Sequence, residues 1–217
     1  MILRRLGVTA AVLGLAAAAV APAASASTSA SGSAGTGTRS LAEVLTSDGN
    51  QFDRNWYDYD IVTEAVLAVL GEKPDSKVGL LADGNVALTA FIPNDRAFQV
   101  LARDLTGRWP STEAKTFSAL VEAVGVDAIE QVLLYHVVPG DAITKATAVK
   151  ANGAVLTTAQ GGTFSVRVYN RYLPIIELRD QDKNDVNPFL NPRALDINKG
   201  NKQVAHGIVF VLRPPDL

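Results

Sequence analysis

The spacing of apolar residues changes once along this chain, and that change limits the folds open to it. Up to residue 140, apolar side chains recur at helical intervals. After residue 150, β-branched and aromatic residues gather in short runs separated by turn residues. Helices crowd the front half and strands the back half. The pattern predicts an α+β fold rather than a parallel α/β sheet.

In the front half, Leu41, Val44 and Leu45 predict a short first helix. Asp60 is placed to cap a second, whose apolar stripe includes Ile61, Ala65, Val66 and Val69, with Gly71 and Pro74 ending it. Residues 86–92 read as a strand that is apolar on both faces, which predicts burial on both sides. Pro93 stops that strand, and Asn94 or Asp95 can cap the next helix, with Ala97, Phe98, Leu101 and Leu105 on its inner face. Phe117, Leu120, Val121 and Val124 predict another helix closed by Gly125. Asp127 opens a further one that Pro139-Gly140 breaks. In the back half, strands are expected over 155–158, 163–169, 173–178, 194–197 and 204–212, with Gly161-Gly162 turning between the first two.

The first residues read as an export signal. Arg4 and Arg5 precede an apolar run from Leu6 to Val20, and Ala24-Ser25-Ala26 fits a small-residue cleavage site, giving a signal peptide over 1–26. Residues 27–39 are almost entirely Ser, Thr, Ala and Gly and read as a flexible linker before a single domain over 40–217. No second long apolar run follows, so the expected product is secreted and extracellular, with no membrane span after cleavage near Ala26. There is no cysteine, which removes thiol nucleophiles, zinc–thiolate sites and disulfides. The net charge is −2, with acidic residues in excess before residue 140 and basic ones after it. That balance argues against nucleic acid as a partner. No G-x-S-x-G, P-loop or dinucleotide fingerprint occurs, and no cofactor or metal-ligand set is assigned.

Three segments in fixed order carry a family resemblance: TAFIPNDRAF at 89–98, LLYHVVPG at 133–140 and VAHGIVFVLRP at 204–214. They resemble the conserved boxes of the fasciclin domain. Thr89, Phe91, Pro93, Asn94, Ala97 and Phe98 match the first box. Tyr135 and His136 match its tyrosine–histidine pair, and Val204, His206, Ile208, Val211, Leu212 and Pro214 fit its closing strand. Gln203, Gly207 and Val209 depart from the family pattern. The resemblance implies a secreted bacterial fasciclin-like protein. Its fold would be a wedge, a twisted β-sandwich of about seven strands with helices packed along one edge. It also implies a non-catalytic role in cell adhesion or in extracellular matrix or envelope association. The partner would be a cell-surface, wall or matrix component, protein or polysaccharide, and a single module leaves self-association open. A small-ligand or glycan site in a cleft of the same domain, less readily a hydrolase, is the alternative.

Within that frame several residues are candidates. Tyr135 and His136 are interaction candidates through the family's tyrosine–histidine region. His136 and His206 are the only histidines, too few for a zinc site and more simply structural. Asp180, Asp182, Asn184 and Asp185 offer oxygens at calcium-loop spacing. Asp185 stands where an EF-hand needs Gly and Asn191 where it needs Glu, so only a looser calcium site or a partner contact remains open. These residues lie in the segment 170–203, which reads as an inserted exposed loop. Asp53, Asp58 and Asp60 with Trp56, Tyr57 and Tyr59 form an acidic–aromatic cluster with a sugar-site or a helix-capping reading.

Overall fold

The computed structural model describes residues 37–47, 49 and 51–215. The signal peptide and linker residues 27–36 lie outside the described residues. The last residues of the stretch read as linker are tied into the domain: Gly37 N donates to Gly200 O, and Asn198 Nδ2 donates to Arg39 O.

The helical half follows its local signals closely. Helix α1 (Leu41–Leu45) opens at Ser40, whose hydroxyl accepts the Glu43 N–H. Helix α2 spans Asp60–Glu72 and buries Ile61, Val62, Ala65, Val66 and Val69. A 3₁₀ helix (Lys77–Ala82) leads to strand β1 (Leu88–Pro93), buried at every position as its two-sided apolarity predicts. Asn94 caps helix α3 (Asp95–Thr106), its Oδ1 accepting the Ala97 N–H at 3.0 Å. Helix α4 (Glu113–Tyr135) contains the two expected helices, joined end to end across a kink at Gly125. Gly125, with φ 75° and ψ 168°, closes the first segment as expected, in a backbone state that side-chain-bearing residues rarely adopt.

One capping expectation is corrected. Asp60 does not cap α2, because it stands inside the first turn. The cap comes from another element: the Asp95 carboxylate accepts Ile61 N–H at 2.8 Å and Asp60 N–H at 3.3 Å. Asp127 likewise caps nothing and pairs with Lys73 instead.

The strands form two three-stranded sheets, six strands among the described residues rather than the seven-stranded sandwich expected, with two of the six supplied by the front half. In the first, β1 lies between β2 (Val137–Pro139), antiparallel to it, and β6 (Gln203–Ile208), parallel to it. After α4 comes a short helix α5 (Lys145–Ala148). The second sheet is an antiparallel run of β3 (Val155–Thr157), β4 (Thr163–Asn170) and β5 (Ile175–Arg179). The expected strand at 194–197 reduces to a single bridge between Ile197 and Ala205. Asp196 and Asn198 have positive φ there, which prevents a continuous ladder.

Two buried clusters result. The helices α2, α3 and α4 enclose one with Leu88, Ala90 and Phe98. The other joins Phe91, Tyr135, Phe164, Ile176, Leu178, Ile208 and Leu212 under the second sheet. Phe91 meets Phe164 edge-on at 5.3 Å between centroids, worth roughly 0.5–1.5 kcal/mol beyond its burial. Gly207 has a steric reason to depart from an aliphatic residue. A Cβ there would collide with Tyr59 Oη and lie 2.8 Å from Ala194 Cβ.

Candidate functional site

The tyrosine–histidine pair sits where α4 runs into β2. Tyr135 is fully buried, and its Oη donates to Thr163 O at 2.6 Å. Burial pushes its phenol up to about 12. His136 is the C-cap of α4, and its carbonyl accepts the Phe91 N–H. The Leu212 N–H can only donate, so it requires His136 Nε2 as acceptor at 2.9 Å. Nδ1 then carries the proton and donates to Val132 O at 2.7 Å. Burial pushes this imidazole down to about 4.

His206 uses the opposite tautomer. Its Nδ1 accepts the Asp196 N–H and its Nε2 donates to Ile143 O at 2.7 Å. Burial lowers its pKa as well. All four ring nitrogens are thus engaged with backbone, and both rings are buried. Thr89, Phe91, Pro93, Asn94 and Phe98 line the same buried junction of β1 and α3, with Thr89 Oγ1 accepting the Ile143 N–H. Tyr135 and His136 therefore shape the surface from below it. Pro214, also buried, follows Arg213 at the C-terminal end.

The segment 170–203 is exposed in part, as its composition suggests, but it also enters the core. It contains β5, and Pro188 and Leu190 are buried. Phe189 bridges Glu177 of β5, and the next residue, Leu190, bridges Ile208 of β6, so this stretch joins the two sheets. Asp180 and Asp185 turn inward around Arg213 (Asp180 Oδ2 accepts its N–H at 2.9 Å, Asp185 Oδ2 lies 2.6 Å from its Nε). The same guanidinium reaches Asp104 at 2.9 Å. Burial pushes the Asp180 carboxyl up to about 7, and raises that of Asp185 against the pull of Arg213. Asp182 accepts the Asn184 N–H in a local turn, and Asn184 is exposed. Asn184, Asp185, Asp104 and Arg213 edge a cleft of about 380 Å³ whose other wall includes Ala97, Leu101 and Val211.

The exposed apolar surface lies at the start of this segment, around the turn between β4 and β5. Tyr172 is 88% exposed and Leu173 67%, with Tyr169 and Ile175 beside them. Arg167 stacks over the Tyr169 ring at 4.7 Å. Most of this run falls in the segment expected to be an exposed loop, but its polar side chains, not its apolar ones, were the contact candidates. The signal was four large apolar residues in seven, from Tyr169 to Ile175, bracketing a turn.

Asp53, Asp58 and Asp60 do meet, joined by two residues that sequence reading did not connect to them, Asp95 and Glu113. Burial, and then a shared hydrogen bond with Asp58, push the Asp95 carboxyl up to about 9. Gln203 departs from the family pattern. Its fully buried side chain makes three bonds: Oε1 accepts Leu41 N–H, and Nε2 donates to Leu80 O and Asp83 O, each at 2.8 Å.

The fasciclin domain profile matches residues 72–213. The chain belongs to the fasciclin domain family. A solved FAS1 domain pair from the insect cell adhesion molecule fasciclin I is similar at 18% identity, with a TM-score of 0.49. The match covers 70% of this chain and 46% of that one, so this chain spans less than half of its length. No curated protein sequence matches this chain. Among the described residues, no helix is long and apolar enough to cross a membrane.

Proposed function

We propose that this chain is a non-catalytic interaction module, exported by its N-terminal signal, that acts in adhesion or in attachment to extracellular matrix or cell envelope. Fasciclin domains are adhesion-related interaction modules, and family membership supports the reading. The observation that carries it is the Tyr172–Leu173 surface, too apolar and too exposed to serve the core. Tyrosine supplies large contact area at low entropic cost, which suits a contact residue. Its partner is a protein or polysaccharide of the cell surface, wall or matrix. Changing Tyr172→Ser and Leu173→Ser together is expected to weaken capture by envelope or matrix preparations about tenfold or more, with the melting temperature unchanged. Unaltered capture would sink the assignment.

The cleft beside Arg213 supports a second reading, a small-ligand or glycan site, because it sets polar groups opposite an apolar wall. On that reading, thermal-shift screening with neutral and basic sugars raises the melting temperature of the full chain. Asp104→Asn suppresses the shift. A flat screen removes this alternative.

A further inference from the structure

Three helices begin at one place. Asp95 is the first residue of α3, Glu113 the first of α4, and the α2 start donates its N–H groups to Asp95. Asp58 arrives from the segment before α2. One carboxylate oxygen from each of Asp58, Asp95 and Glu113 lies within 4.8 Å of the others. Asp95 and Glu113 have no exposed surface.

The oxygens not used by backbone are the informative ones. Glu113 Oε2 accepts the Asp53 N–H at 2.6 Å, but its Oε1 is buried without a hydrogen-bond partner. Asp58 Oδ1 is buried and unpartnered as well. No lysine or arginine forms an ion pair with any of the three among the described residues. Helix N-termini favour negative charge, but each supplies only about half an elementary charge. Two buried carboxylates and the half-buried Asp58 thus crowd together; in the metal-free chain a proton shared by Asp95 and Asp58 offsets part of the repulsion, and a cation can take its place.

We propose that Asp58, Asp95 and Glu113 bind a divalent cation, calcium by preference, that ties the starts of α2, α3 and α4 together. The donors are all hard oxygens, which suit calcium, magnesium and manganese rather than thiophilic or imidazole-seeking metals. Calcium accepts irregular coordination by protein oxygens, whereas magnesium demands near-octahedral geometry and retains its waters. A closed site made of carboxylates from three segments matches the first behaviour.

The full chain, stripped of metal by chelator, provides the test. Trp56 and Tyr59 flank Asp58 in sequence and can sensitise terbium luminescence. Terbium is expected to give a saturable signal with one-to-one stoichiometry that calcium displaces. Calcium at about a hundred times its dissociation constant should raise the melting temperature by roughly 5–10 °C. Glu113→Gln retains an oxygen for the Asp53 N–H but removes the charge, and Asp58→Asn acts likewise. Both variants should keep the metal-free melting temperature at or above that of the parent and lose the calcium shift. The assignment is overturned if calcium leaves both luminescence and melting temperature of the parent unmoved. It is equally overturned if Glu113→Gln retains the full response, or if Asp182→Asn alone abolishes it, which would place the ion in the 180–185 turn.

Discussion

Gln203→Leu is expected to lower domain stability by roughly 3–5 kcal/mol. Leucine nearly preserves the volume, so the loss is one of polar partners. Three backbone groups lose the side chain that satisfies them: Leu41 N–H at the start of α1, and Leu80 O and Asp83 O around the end of the 3₁₀ helix. Each buried group left without a partner costs about 1–3 kcal/mol. The two carbonyls are partly within reach of water, which keeps the sum toward the lower end. For a domain of this size the melting temperature should fall by about 10 °C. Urea unfolding of parent and variant measures the difference. A change below about 1 kcal/mol would show that Gln203 does not hold α1 and the 3₁₀ helix to β6. The glycine usual in the family at this position could make none of these bonds.

Acid should act on the domain through His136. Burial holds its imidazole down at about 4 in the folded protein, against an ordinary value of 6.5. Between those values the unfolded chain binds a proton that the folded one refuses. The contribution is therefore intact above pH 6.5 and is lost as pH falls toward 4. One pKa unit corresponds to 1.36 kcal/mol, so the full loss is roughly 3 kcal/mol. The cause is burial, which disfavours the charged ring; protonation would also give Nε2 a hydrogen aimed at the Leu212 N–H that it now accepts. Asp95, with its carboxyl raised, contributes the opposite slope, because its folded form retains a proton that the unfolded chain has released. The overall stability curve mixes the two, so the histidine is best read directly. With only two imidazoles in the chain, proton NMR resolves both. Neither should titrate at the ordinary value, and His136 should remain neutral down to about pH 4. A His136 midpoint near 6.5 would contradict this burial.

What could be read from sequence was what is decided within a turn or two of chain. Asn94 caps α3 from its own first turn, and β1 is apolar on both faces because both are covered. The three family boxes also converge, which the resemblance made legible and no local signal did: Phe91 pairs with His206, and its N–H meets the His136 carbonyl. What was not legible is set by distant partners. Asp95 caps a helix 34 residues earlier in the chain, so nothing near Asp60 reveals it. Gln203 and Arg213 act across similar or greater separations. The Asn, Asp and Pro of the 170–203 segment correctly suggested exposure for much of it, but hid the stretch that enters the core. Its short apolar run, Pro188 to Leu190, was the overlooked clue that it crosses from one sheet to the other.

The parallel pairing of β6 with β1 bears on how this body withstands pulling. Gly37 is held beside Asn201, at the beginning of β6, while the chain leaves from the opposite end of that strand. Tension between the two ends is thus directed lengthwise along β6. The ladder to β1 is loaded in shear, all its rungs together, instead of being unzipped one rung at a time, a geometry suited to a tether that bears force.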